Sequence, residues 1–200
     1  MKKINQLNRG FTPTPFKRKG VSLQSKRGFT LVETLVAISI FTVSIVALMS
    51  VLATGISNAN YAKAKITAAY LAQEGIEYVR NLRDTYVVYT GVPGNSWNGF
   101  KAKLISCNGP DLGSSCGFDT VFPYNFFVCT NPNDCKLYVD NNGNYSTNAL
   151  GADSHFVRKI WMTPIGADNT EVKIFSDVSW KQGSGDYNIT FSENLFNWVE

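Results

Sequence analysis

Between positions 29 and 53 the chain carries one charge, Glu33, in a run otherwise made of apolar and small hydroxyl residues. At a rise of about 1.5 Å per residue, a helix of that length covers the roughly 30 Å of hydrocarbon in a bilayer. Whatever else the chain does, its fold has to be arranged after a membrane-length helix that starts near residue 29. Glu33 is the anomaly in that helix. An ionised carboxylate costs on the order of 2.5 to 3.5 kcal/mol at the middle of a membrane helix and less toward its end, so such a residue needs a partner and a task.

The distribution of charge says more than the net of +4. Residues 1–28 hold eight of the nineteen Lys and Arg and no acid, whereas residues 29–200 hold eleven bases against all fifteen acids. By the positive-inside rule the leader is expected in the cytoplasm and everything after Gly55 outside it, as a single-pass membrane protein. The sequence pI of 8.8 is therefore a property of the leader. Nucleic acid is not an expected partner.

The residues before the apolar run complete a pattern. Lys26, Arg27 and Gly28 are followed by Phe29-Thr30-Leu31-Val32-Glu33 and then the helix. This arrangement resembles the class III signal of type IV prepilins and pseudopilins, with a basic pair, a Gly, an aromatic first residue, Glu five places after the Gly, and a membrane-length helix. The resemblance implies that a prepilin peptidase reads Lys26, Arg27 and Gly28, cuts between Gly28 and Phe29, and N-methylates Phe29. Glu33 would then pair with the Phe29 amine of a neighbouring subunit during assembly.

Two earlier sites imitate this one. Arg9-Gly10-Phe11-Thr12 is followed by Pro13 and Pro15, which stop a helix from starting, and Lys19-Gly20-Val21 has Ser25 where the acid should stand. A secretory signal ending at Ala53-Thr54-Gly55 is the competing reading. Its apolar region would be about 25 residues, against the roughly 7 to 15 of such signals.

After Gly55 the pattern becomes amphipathic. Ile66, Ala69, Ala72, Ile76, Val79 and Leu82 recur every three to four residues, opposite Lys63, Thr67, Glu74, Glu77, Asn81 and Asp84. The spacing predicts that the helix continues to about Asp84, through Gly55 and Gly75, each costing up to about 1 kcal/mol against Ala. Ser50 stands where many major pilins carry a kinking Pro, and residues 68–77 continue a weaker likeness to PilV-type minor pilins.

From residue 86 the chain reads as β-rich, with strands expected over 86–90, 100–107, 121–129, 136–140, 155–162, 171–180 and 186–191. Asp140-Asn-Asn-Gly-Asn144 is a hairpin-turn signal. A helix followed by consecutive strands predicts an α+β fold with an antiparallel sheet, covered on one face by the amphipathic half of the helix, as in a pilin-like lollipop. The expected divisions are 1–28 as a cleaved leader, 29–55 as the transmembrane and assembly helix, 56–85 as the amphipathic helix, and 86–200 as the head.

Four cysteines lie in the head, and their spacings favour Cys107 with Cys116 and Cys129 with Cys135, each closing a Gly, Asn or Pro-rich loop. Zinc is the rival reading, but no CxxC spacing is present. His155, the only histidine, has no nucleophile or acid set beside it by any motif and reads as structural. With no Walker loop, GxSxG or HExxH, no enzyme and no cofactor are expected. Calcium at residues 140–144 is the one alternative, against the missing acids and closing Glu of an EF-hand loop. Trp97, Phe122, Tyr124, Phe126 and Phe127 are either core or a sugar-binding surface.

The function expected is that of a minor pilin or pseudopilin in a type IV pilus-like filament or in a type II secretion or competence machine. Its expected partners are the peptidase, other pilins, the inner-membrane assembly platform and the membrane. The alternatives are a filament-borne adhesin or ligand-binding module, and a monomeric signal-anchored protein.

Overall fold

One helix, α1 (Leu31–Val88), runs through the apolar run and the amphipathic segment without interruption. The computed structural model describes residues 28–88, 96–119, 125–166 and 170–197, and the leader calls at Lys26 and Arg27 lie outside them. The chain divides into two compact units between Met49 and Ser50.

In the second unit, among the described residues, α1 is followed by α2 (Trp97–Lys103) and by seven strands. These are β1 (Cys116–Phe118), β2 (Phe126–Val128), β3 (Lys136–Val139), β4 (Tyr145–Ser146), β5 (Ala152–Ile165), β6 (Glu171–Gln182) and β7 (Gly185–Phe196). Every pairing is antiparallel. β5 is the hub, pairing with β6 along one edge and with both β3 and β1 along the other, while β2 extends β1, β4 extends β3, and β7 extends β6. The fold is α+β, with a helix laid on an antiparallel sheet.

Period-2 burial decides which face of the sheet meets the helix. Phe156, Arg158, Ile160 and Met162 of β5 alternate with less buried neighbours, and Val172, Ile174, Ser176, Val178 and Trp180 do the same on β6. On the opposite face Trp161 and Phe175 stack at 5.0 Å. The helix contributes Ala68, Leu71, Ala72, Ile76, Val79 and Leu82 to the core. The stripe follows the expected one at Ala72, Ile76, Val79 and Leu82 and departs from it at the N-terminal end, where Ala68 and Leu71 are buried and Ile66 is 57% exposed. Gly75 lies in the middle of the stripe. A Cβ there would collide with the Ser176 hydroxyl and stand 3.3 Å from Ile160 Cδ1, so the glycine sets how closely helix and sheet approach.

Several strand expectations are corrected. Residues 86–88 end α1 instead of starting a strand, because Val87 reaches the core already built by Val79 and Leu82, and extending a formed helix costs less than starting a new element. Tyr89 and Thr90 lie outside the described residues. The strand expected over 100–107 is replaced by α2. Ser96 caps that helix through the Gly99 amide, and Trp97, Phe100 and Leu104 bury one face at helical spacing. Of the strand expected over 121–129, only β2 is described, and Phe122 and Tyr124 lie outside. β1 and β4, too short to leave a periodic signal, were not expected.

Two disulfides close loops that lie against the hub strand. Cys107 is bonded to Cys116 and Cys129 to Cys135. Beside them, Met162 N–H donates to the Cys107 carbonyl at 2.7 Å and Arg158 N–H to the Cys135 carbonyl at 3.0 Å.

Candidate functional site: the entry to the long helix

The residues the sequence singles out converge on the first turn of α1. Gly28, Phe29 and Thr30 precede the helix in irregular backbone, and Phe29 is 79% exposed. Thr30 caps the helix, its hydroxyl accepting from the Glu33 amide at 3.2 Å. Thr30 and Glu33 thus have the spacing of a capping box, with the acid in the first turn, where the helix dipole favours negative charge. This cap was missed in the sequence, although Thr-x-x-Glu before an apolar run is its signal.

Beyond that turn the helix presents apolar side chains all round. Leu35, Ile40, Val46 and Val51 are each 63% to 72% exposed, and none of the most apolar stretch is buried. A bare surface of this size calls for a membrane or other chains as its cover. Five of its hydroxyls are satisfied internally. Thr34, Ser39, Thr42, Ser44 and Thr54 donate their hydroxyls to backbone carbonyls one turn earlier, at 2.8 to 3.0 Å. A lipid setting would require this, because it offers no hydrogen-bond partner of its own.

Residues 23–57 match the family model described as the prokaryotic N-terminal methylation motif. That match supports a likeness to type IV prepilins and pseudopilins over this segment. No curated protein and no solved structure matches the chain. The prepilin signature and the apolar helix together fit a membrane-anchored, pilin-like subunit, and the motif points to a structural protein rather than an enzyme.

The other candidate residues are dispersed over the head. His155 is 75% exposed on β5, with Nδ1 3.5 Å from Asp153, and its backbone is left-handed at φ 64°. Trp97 is buried, and Phe126 and Phe127 are half-buried, so these three form no open aromatic surface. Residues 140–144 are the turn between β3 and β4. There the Asp140 carboxylate accepts from the Asn144 side chain and from the Asn142 and Asn144 amides at 2.8 to 2.9 Å. These bonds, the Asn144 side chain's first, hold its carboxyl below the usual aspartate range. Among the described residues no group of three His, Cys, Asp or Glu is placed to hold a metal.

Proposed function

We propose that the chain is a minor pilin or pseudopilin, a structural subunit of a type IV pilus-like filament or of a type II secretion or competence machine. A prepilin peptidase cuts it after Gly28 and methylates Phe29. The observation that carries this reading is the sequence from Lys26 to Glu33 leading directly into an exposed, membrane-length helix.

The chemistry follows from what cleavage creates. A cut after Gly28 leaves an ammonium at Phe29, one turn from the Glu33 carboxylate, so two opposite charges share an apolar setting. When subunits pack through residues 29–53, each Glu33 meets the amine of a neighbour and fixes the axial register of helices that are otherwise uniformly apolar. Among the described residues nothing lies within 4 Å of where a Cβ on Gly28 would stand. The demand for a small residue there is thus assigned to the peptidase, which must approach the backbone closely. Other pilins and the membrane assembly platform complete the set of partners, and the head stays outside the cytoplasm.

N-terminal sequencing and intact mass of the mature protein test the reading. Mature chain should begin at Phe29 and carry one additional methyl group. A start at Ile56 would establish the secretory-signal alternative. Bulky replacement of Gly28 should leave a full-length precursor in the membrane.

A further inference from the structure

The head carries a cationic pocket next to the point where the apolar run ends. Ser57, one helical turn or about 6 Å beyond Ala53, accepts a hydrogen bond at its carbonyl from Gln182 Nε2 at 3.2 Å. The tip of the β6–β7 hairpin therefore sits beside the helix at that level. Headgroups add about 5 to 7 Å to each side of the hydrocarbon, so a span ending near residue 53 places this tip among them. This placement rests on residues 29–53 being membrane-embedded.

A pocket of about 290 Å³ opens here between α1 and the ends of β4, β5 and β6. Its floor is aromatic, formed by Tyr145, Phe156 and Trp180, and its polar lining includes Lys63, Lys181 and His155. Among the described residues no carboxylate lines it. Lys63 makes no ion pair among the described residues, while Lys181 faces Asp186 only at 3.5 Å, with both side chains more than 70% exposed. Asp153, beside His155, is shared with Lys136 at 2.8 Å. The pocket is thus net cationic.

Three further observations point to a ligand of one kind. Tyr61, Trp180 and Tyr187 cluster beside the pocket, with Tyr61 5.0 Å and Trp180 5.7 Å from the Tyr187 ring, and Tyr and Trp are the residues that settle at headgroup depth. The Trp180 Nε1–H, a donor on a lining residue, is buried without a hydrogen-bond partner among the described residues. The left-handed backbone of His155 at the lining is an unfavourable conformation of the sort that persists at ligand clamps.

We propose that this pocket seats the phosphate-bearing headgroup of an anionic lipid, so that the subunit rests its head on the membrane surface before it is taken into a filament. The lysines supply the charge, the aromatic floor takes the glycerol and upper acyl carbons, and Lys65, its amine 5.9 Å from the Tyr61 ring, adds to the same surface.

The test uses the full chain in uncharged maltoside micelles, offered equal amounts of phosphatidylglycerol and phosphatidylcholine, with retained lipid counted by native mass spectrometry. A lysine near an anionic headgroup is worth about fivefold in binding, so the pair should favour phosphatidylglycerol by about 25-fold. Lys63→Ala with Lys181→Ala should bring the ratio near one, and Lys63→Arg with Lys181→Arg should keep it. Equal retention by the parent, or a preference that survives the double Ala variant, would overturn the proposal. Displacement of the lipid by an equal concentration of inorganic phosphate would also overturn it, in favour of a soluble anion. Resistance of the protein to alkaline extraction from membranes reads the anchor separately.

Discussion

Glu74 on α1 meets Arg158 on β5 at 2.5 Å, and the two ends of this bond are unequally wet: the guanidinium is 2% exposed and the carboxylate side chain 43%. Arg158 also lies 3.9 Å from the Phe118 ring and donates to the Leu71 carbonyl at 3.3 Å. Burial lowers the pKa of its guanidinium from the ordinary value, and Glu74 opposes that shift. Breaking the bond from its two ends should therefore cost different amounts. Glu74→Ala leaves a buried cation without its acid and should destabilise the head by about 2 to 4 kcal/mol, while Arg158→Met leaves a carboxylate that water reaches and should cost less than about 1.5 kcal/mol. Denaturant unfolding of both variants checks the order, and equal losses would show that the exposure difference does not matter.

Gly75 should resist even the smallest substitution. In an exposed helix Gly→Ala would stabilise by up to about 1 kcal/mol. Here the added methyl meets Ser176 and Ile160, so the sign should reverse and the melting temperature fall. Ser176→Gly in the same chain should restore most of the loss. Ser176→Ala alone should be neutral or stabilising, because the Ser176 hydroxyl is buried without a partner among the described residues.

Acid should loosen the turns of the head before its core. The carboxyls of Asp134, Asp140 and Asp153 are all held below the ordinary 3.8, chiefly by hydrogen bonds from the Thr130 hydroxyl, the Asn144 amide group and the Lys136 ammonium respectively. A carboxyl depressed in the folded chain is protonated more readily in the unfolded one. Its contribution is complete above pH 3.8 and is lost as the pH falls toward its folded value. Melting temperature should thus be flat between about pH 6 and 5 and fall below about pH 4. Asp140→Asn should reduce the slope of that fall, and an unchanged slope would remove Asp140 from the explanation.

Glu33→Ala should separate processing from assembly. The head core begins at Ala68, far along the helix, and should be unaffected. Capping survives, because Thr30 accepts from the backbone amide of residue 33 and not from its side chain. What disappears is the acid partner for a neighbour's amine, a loss of several kcal/mol per subunit by the usual cost of an unpaired buried charge. The variant should be cut normally and be missing from sheared filaments. Assembly at parental levels would refute the charge-pairing model.

What could be read in advance depended on how much of each signal was local. The apolar run, Lys26 to Glu33, and the strands β3, β5, β6 and β7 declared themselves by composition or by a period of two over enough residues. The 97–104 segment did not, because three large apolar residues at helical spacing amid Gly and Lys are also what a short strand looks like. Arg158 gave no warning of its burial, since a charged residue in an alternating strand is normally assigned to the wet face. Only the partner supplied by α1 from 84 positions away reverses that assignment. The pocket under His155 was equally illegible, because it is assembled from α1 and three strands and no short window contains it.

The stripe from Ala68 to Leu82 also governs how the head can be produced as a soluble fragment. Those helical residues close the core over β5 and β6, so a version trimmed to the β-rich part and starting at residue 86 would expose Phe156, Ile160, Ile174 and Val178 together and is expected to aggregate. Starting at Ser57 keeps the whole packed face and the bond to Gln182 while discarding the apolar run. The useful cut is therefore inside the helix, one turn past the apolar run, and not at the boundary between helix and sheet.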